Sequence, residues 1–244
     1  MQPELRPSKQ RRAERDVRHH DVLRVCSLLE RRYGASRLGN PEDPLDDLIY
    51  IMLSNRTSPG AAGRIYGQFK ARRGKWEHWA DAPLATIKRL VQPLGLSSIR
   101  SHHIRETLRI IRADFGKCDL AALRPLSDSA VESYLAALPG VSTKVAKCVM
   151  MYTLGRDVLP VDAHVHRVAS RLGWTRRKRA DQCHAELEAL IPEKKRLLFH
   201  VNCIMHGRII CRSQRPKCVG CQLSHECWYF RTRTKAGHEK TDSN

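Results

Sequence analysis

Apolar residues recur along this chain at intervals of three and four, and strict alternation is nearly absent, so the pattern predicts helices rather than sheet. Leu45, Leu48, Ile49 and Met52 mark one apolar stripe, closed by the polar turn Ser54-Asn55-Arg56-Thr57-Ser58-Pro59-Gly60. Leu84 to Leu90, just behind Pro83, and His103 to Phe115 read as two further helices, separated by Pro93-Leu94-Gly95-Leu96-Ser97-Ser98. Val131, Tyr134, Leu135 and Leu138 repeat the helical spacing, with Ser129 and Glu132 placed as a capping box ahead of them. Val145, Cys148, Val149 and Tyr152 repeat it again, with Gly155 as the C-terminal cap. Val165, Val168, Ala169 and Leu172 define another helix, ended by Gly173. The run Thr175-Arg176-Arg177-Lys178-Arg179 follows as a basic loop or helix start. The expected fold class is all-α.

Length and charge narrow the picture. The 244 residues allow one large domain or two small lobes sharing a core. Lys and Arg total 44 against 25 acidic residues, a formal charge of +19, which predicts attraction to a polyanion. No stretch approaches the roughly eighteen apolar residues of a membrane span, so no membrane partner is expected. Residues 1–20 are basic but include Glu4, Glu14 and Asp16 and no apolar block; they read as a disordered arm rather than a secretory signal. Residues 232–244 form a second charged tail.

The cysteines are odd in number and unevenly spread. Five of the nine are scattered, while Cys211, Cys218, Cys221 and Cys227 crowd together as C-x6-C-x2-C-x5-C. Such a cluster, in a sequence that shows no signal peptide, reads as a metal or iron–sulfur site in a reducing compartment. Four thiolates this close in sequence can converge on one centre. A structural zinc competes, although zinc ribbons usually carry two C-x2-C pairs and this run has one.

Between two predicted helices lies Leu138-Pro139-Gly140-Val141-Ser142-Thr143-Lys144. Pro139 cannot continue the first helix, and Gly140 accepts positive φ without steric cost. A helix opening near Ser142 would turn its free N–H groups into the bend, where they and the macrodipole attract a phosphate oxygen. That arrangement grips a nucleic-acid backbone without reading bases; an ordinary αα turn is the plainer alternative. Eighteen residues after Lys144, Asp162 stands at another helix start, a position where aspartate often serves only as a cap.

Taken together, Leu138-Pro139-Gly140-Val141 with Lys144, then Val161-Asp162 and His164, resemble the endonuclease III branch of the helix-hairpin-helix glycosylases. The likeness runs from about residue 25 to about residue 230. It implies a six-helix barrel lobe over 41–147 carrying the hairpin, and a [4Fe-4S] lobe built from 21–40 and 148–231 on the four cysteines. Double-stranded DNA with a damaged, mismatched or abasic nucleotide would lie in the cleft between the lobes, bound by a monomer. Lys144 would be the nucleophile and Asp162 its assistant. The chemistry suits them: base loss develops positive charge at the anomeric carbon, which a carboxylate stabilises, and an amine attacking that carbon leads to β-elimination. A lysine in the first helical turn feels the positive dipole end, which favours the neutral, attacking form.

By the same resemblance Gly140, Val141 and Ser142 hold phosphate, Leu96 is a wedge for the space left by the extruded nucleotide, Arg56 fills that space from the other side, and His164 faces the abasic sugar. Arg212, Arg215 and Lys217, between the first two cysteines, offer a basic surface to the backbone. Three departures stand out: Ser142 replaces the family's second hairpin glycine, Arg56 replaces its usual glutamine, and Pro59 stands in place of an aspartate. The reading is a bifunctional glycosylase and abasic-site lyase acting on damaged pyrimidines. Arg56-Thr57 resembles instead the branch that removes mismatched thymine or uracil, and a non-catalytic, cluster-bearing DNA clamp is a rival of another class. Such an enzyme belongs with genomic DNA, in the cytoplasm and nucleoid of a prokaryote or the nucleus or mitochondrion of a eukaryote.

Overall fold

Side-chain caps at Asp43, Ser58, Ser127 and Asp162 open four of the helices, two of them with a proline in the first turn, and a computed structural model describes residues 19–34, 38–55 and 57–232. Among the described residues all regular structure is helical, as the periodicity predicts. The arm expected over 1–20 lies almost wholly outside them, as do Arg56 and nearly all of the C-terminal tail. None of the described helices is long and apolar enough to cross a membrane.

The helices are α1 (His19–Tyr33), α2 (Pro44–Ser54), α3 (Pro59–Arg73), α4 (Trp76–Asp81), α5 (Leu84–Val91), α6 (Ser97–Phe115), α7 (Asp128–Ala137), α8 (Thr143–Tyr152), α9 (Ala163–Leu172), α10 (His184–Leu190) and α11 (Arg196–Ile209). They bury two hydrophobic clusters. The first takes its side chains from α2 to α8 and runs from Leu45 to Val158. The second joins α1 to α9, α10 and α11, from Val22 to Leu29 and from Leu159 to Leu223. The chain therefore passes between cores at Val158–Leu159, in the extended segment that leads to Asp162.

Local chemistry explains the starts. Asp43 opens α2, its Oδ1 accepting the N–H groups of Leu45 and Asp46 at 3.0 Å, with Pro44 in the first turn. α2 is buried beyond the narrow stripe expected of it: Asp47, Ile51 and Leu53 are inside as well as Leu45, Leu48, Ile49 and Met52. Each fully buried leucine or isoleucine contributes about 1.5–3 kcal/mol to the first core.

Three expectations need correction. α6 begins at Ser97, six residues before the expected His103, because Arg100, Ser101 and Thr107 are buried polar residues that blur its apolar stripe. α7 is capped by Ser127, whose Oγ accepts the Ala130 N–H at 3.3 Å, and not by Ser129. Glu132 pairs with Lys147 at 3.2 Å instead of folding back onto a cap. The C-terminal cap of α8 is Thr153, although Gly155 does take positive φ two residues later.

A buried cation stitches the two cores together. Lys147 on α8, 7% exposed, reaches Glu188 of α10 at 2.9 Å as well as Glu132 of α7. Glu188 also accepts the N–H of Leu159, the first residue of the second core.

Candidate active site

The hairpin forms where the local rules place it. Pro139 and Gly140 break the chain after α7, and Ser142 precedes α8 without making any side-chain cap bond. Gly140 is obligatory for two reasons. Its φ is +77°, and a Cβ there would meet the His103 ring, with Nδ1 only 2.5 Å away. α6 thus backs the turn, and Thr107 Oγ1 fixes it further by donating to the Pro139 carbonyl at 3.1 Å.

Lys144 is the second residue of α8, and Asp162 is the N-cap of α9. One rises from the first core and the other from the start of the second, yet both line a single cleft of about 1060 Å³. Asp162 reconciles its two candidate roles. Oδ1 alone accepts both cap bonds, from the N–H groups of His164 and Val165 at 2.8 Å, and Oδ2 takes no part in the cap. Cys148, one turn beyond Lys144, is buried, and burial pushes its thiol up to about 11 against the pull of the Lys144 charge.

His164 lines the cleft and its protonation is dictated by a neighbour. Arg167 Nη2 donates to His164 Nδ1 at 3.0 Å, so the neutral ring carries its hydrogen on Nε2. Burial holds the ring below its usual range, which keeps it neutral. Arg167 is itself pinned by the carbonyls of Cys211 at 2.8 Å and Gly207 at 3.1 Å. Gly207 must lack a Cβ, since His164 and Arg167 occupy that space.

The pattern of the HhH-GPD superfamily base excision DNA repair protein matches residues 49–193, more than half of the chain. The chain belongs to that superfamily. An endonuclease III of Buchnera aphidicola is 30% identical over 184 residues, covering 74% of this chain and 80% of that protein. An Arabidopsis thaliana protein is 33% identical over 172 residues, and the match spans 69% of this chain but only 58% of the plant protein. The solved structure of a thermostable thymine-DNA glycosylase superposes with a TM-score of 0.75 at 25% identity, over 89% of this chain and all of that one. This HhH-GPD protein is an endonuclease III-like DNA glycosylase of base excision repair.

The four clustered cysteines lie beyond the superfamily match. Cys211, Cys218, Cys221 and Cys227 all line one small cavity, beside Val168, Leu172 and other apolar side chains. Arg171 Nη1 donates to Cys211 Sγ at 3.1 Å, and the Leu223 N–H donates to Cys221 Sγ at 3.4 Å. Among the described residues no three or more histidine, cysteine or acidic side chains are drawn close enough to hold a metal ion together. The fold brings the sulfurs to one cavity without closing them on a point. Arg212, Arg215 and Lys217 are exposed on the connecting loop, and none forms a salt bridge among the described residues.

Leu96 is 60% exposed, at the turn that leads into α6. Val141 and Ser142 line the cleft beside Lys144.

Sequence reasoning missed two groups in the heart of this glycosylase. His200 of α11 lines the cleft at 1% exposure, with Nδ1 donating to the Pro160 carbonyl at 2.8 Å and its pKa pulled down to about 4, chiefly by burial. Asp47 of α2 is fully buried; Oδ1 accepts from Asn40 at 2.6 Å and Oδ2 has no partner among the described residues. Burial pushes its carboxyl up from 3.8 to about 7, against the Asn40 bond and the Lys144 charge. The folded chain then holds this proton more tightly than the unfolded chain, so the stability it confers below the ordinary carboxylate range is lost as pH rises through about 7. Asp47→Asn is expected to stabilise the protein by on the order of 2–4 kcal/mol near pH 8 and hardly at all near pH 4, read from urea melts at each pH.

Proposed function

We propose that this glycosylase is bifunctional, removing damaged pyrimidines from duplex DNA and then opening the abasic site through a Schiff base on Lys144. The carrying observation is that Lys144 and Asp162, from different cores, line the same cleft. A stacked base is out of reach of both, so the target nucleotide must swing out of the helix into that cleft. There the ionised Asp162 carboxylate, with Oδ2 unused by the cap, stabilises positive charge at the anomeric carbon as the bond to the base lengthens. The neutral Lys144 amine adds to the same carbon as the base departs with the bonding electron pair and takes up the amine's proton. The nitrogen lone pair then opens the bond to the ring oxygen, which is protonated, to give the Schiff base, and loss of a proton from the next sugar carbon expels the 3′ phosphate. Gly140, Val141 and Ser142 grip a backbone phosphate at the α8 N-terminus. His164 presents its Nε2–H to an oxygen of the extruded nucleotide. Both chemical groups come from one chain, which suits a monomer.

The four cysteines fit a [4Fe-4S] cluster: the donor set is all thiol, the cavity is largely apolar, and two N–H groups already point at sulfur. Cys211, Cys218, Cys221 and Cys227 would hold it, and it would brace the loop that displays Arg212, Arg215 and Lys217. Equal amounts of iron and acid-labile sulfide in the purified protein support this, and stoichiometric zinc in a colourless protein refutes it. Replacing the three loop cations together with alanine is expected to reduce the slope of log affinity against log salt by up to about 2.7, at about 0.9 for each phosphate no longer neutralised. An unchanged slope would make the loop a bystander.

A mismatched thymine or uracil is the second reading, favoured by Thr57 at the edge of the cleft and by the structural likeness to a thymine-DNA glycosylase. A panel of duplexes, each with one oxidised pyrimidine or one mismatch, separates the two. Strand cleavage confined to the oxidised pyrimidines supports the first reading; release of mismatched thymine or uracil alone supports the second. Tight binding with no base released anywhere would leave only a clamp.

A further inference from the structure

Leu96 adopts a conformation that needs support. Its φ is +49°, in the left-handed region that branched side chains seldom occupy, and no side chain caps the helix it introduces. Burial does not hold it there either, since the side chain is mostly in solvent. The support comes from Arg100, one turn into α6. Its backbone N–H donates to the Leu96 carbonyl at 2.9 Å, and its Nε donates to the Gly95 carbonyl at 3.5 Å.

The same guanidinium reaches a second segment. Nη1 donates to the carbonyls of Met52 and Leu53, and Nη2 to that of Asn55 at 3.2 Å. These are carbonyls at the end of α2, where intrahelical donors run out and the helix dipole favours a cation. Thr57 Oγ1 also donates to the Asn55 carbonyl, which therefore accepts from both side chains. Arg100 is 8% exposed, and its guanidinium is engaged with carbonyls on both sides. A group so committed is withdrawn from phosphate. A lysine cannot reproduce the arrangement, because its donors radiate from one atom and lack the planar fork.

We infer that Arg100 is a positioning residue for base extrusion, holding the Leu96 turn at a fixed separation from the carbonyls of Met52, Leu53 and Asn55 at the end of α2, so that the wedge enters the duplex in register. The inference rests on the proposed role of Leu96 as a wedge. Arg100 touches no substrate and acts through the turn it holds.

The test is a double-mutant cycle read by single-turnover base excision from a lesion-containing duplex, for wild type, Leu96→Ala, Arg100→Lys and the double variant. Arg100→Gln runs in parallel, so that a misfolded lysine variant leaves the cycle intact. Each single change is expected to slow excision by roughly 10- to 100-fold, the scale of a misplaced reacting group. The double variant should be no slower than the worse single within about twofold, because the wedge is already out of register. Borohydride trapping on a single-stranded abasic oligonucleotide, which has no stack to open, should stay within about threefold of wild type throughout. Losses that multiply in the double variant, or single-strand trapping that falls as far as duplex excision, would overturn the coupling. If Leu96→Ala alone leaves duplex excision intact, the wedge reading itself fails.

Discussion

Lys144→Ala is expected to reduce strand cleavage at abasic sites by roughly three orders of magnitude, the scale on which loss of one essential member of a covalent site reduces turnover. Borohydride should then trap no protein–DNA adduct, because no other described lysine lines the cleft. Folding should survive, since alanine is at least as good a helix former as lysine and, among the described residues, Lys144 forms no salt bridge of the kind that holds Lys147. DNA binding should weaken little, because the hairpin backbone remains. A variant that traps as well as wild type would move the nucleophile elsewhere, and the buried Lys147, sequestered between two glutamates, would still be a poor substitute.

Asp162 allows a sharper separation of chemistry from stability. Asparagine caps helices about as well as aspartate, so Asp162→Asn should keep both bonds to the His164 and Val165 N–H groups and leave the melting temperature nearly unchanged. It removes the charge, and base removal is expected to fall by roughly a hundred- to a thousandfold. Asp162→Ala loses the cap as well, and should cost about 1 kcal/mol of stability on top of the impaired activity. If asparagine restores both stability and rate, Asp162 is only a cap. Cleavage of a preformed abasic site should suffer less than base removal in Asp162→Asn, since the departing base no longer has to be assisted.

Much of this site is legible in the order of residues alone. Steric rules acting over a few residues place the hairpin at Pro139-Gly140, the stop at Gly173 and the cap at Asp162, and the structure has each of them there. The cysteine spacing is equally local: four thiols within 17 residues meet one cavity. The missed cap of α7 has a partner on another helix as its cause. Ser127 and Ser129 are both good caps by residue type, and the pairing of Glu132 with Lys147 removes the partner that the second one needs.

The order of residues thus dictates where helices begin and end and which short motifs carry the chemistry, because those depend on backbone sterics and on neighbours a turn or two away. The burial of Asp47, Arg100, Lys147 and His200 arises only when the helices pack. None of the four stands out in the local spacing, and each has a partner or a burying surface contributed by distant chain segments, as with Arg100 and the end of α2. Such pairings leave no mark on local spacing, because desolvation and long-range hydrogen bonds are properties of the assembled fold.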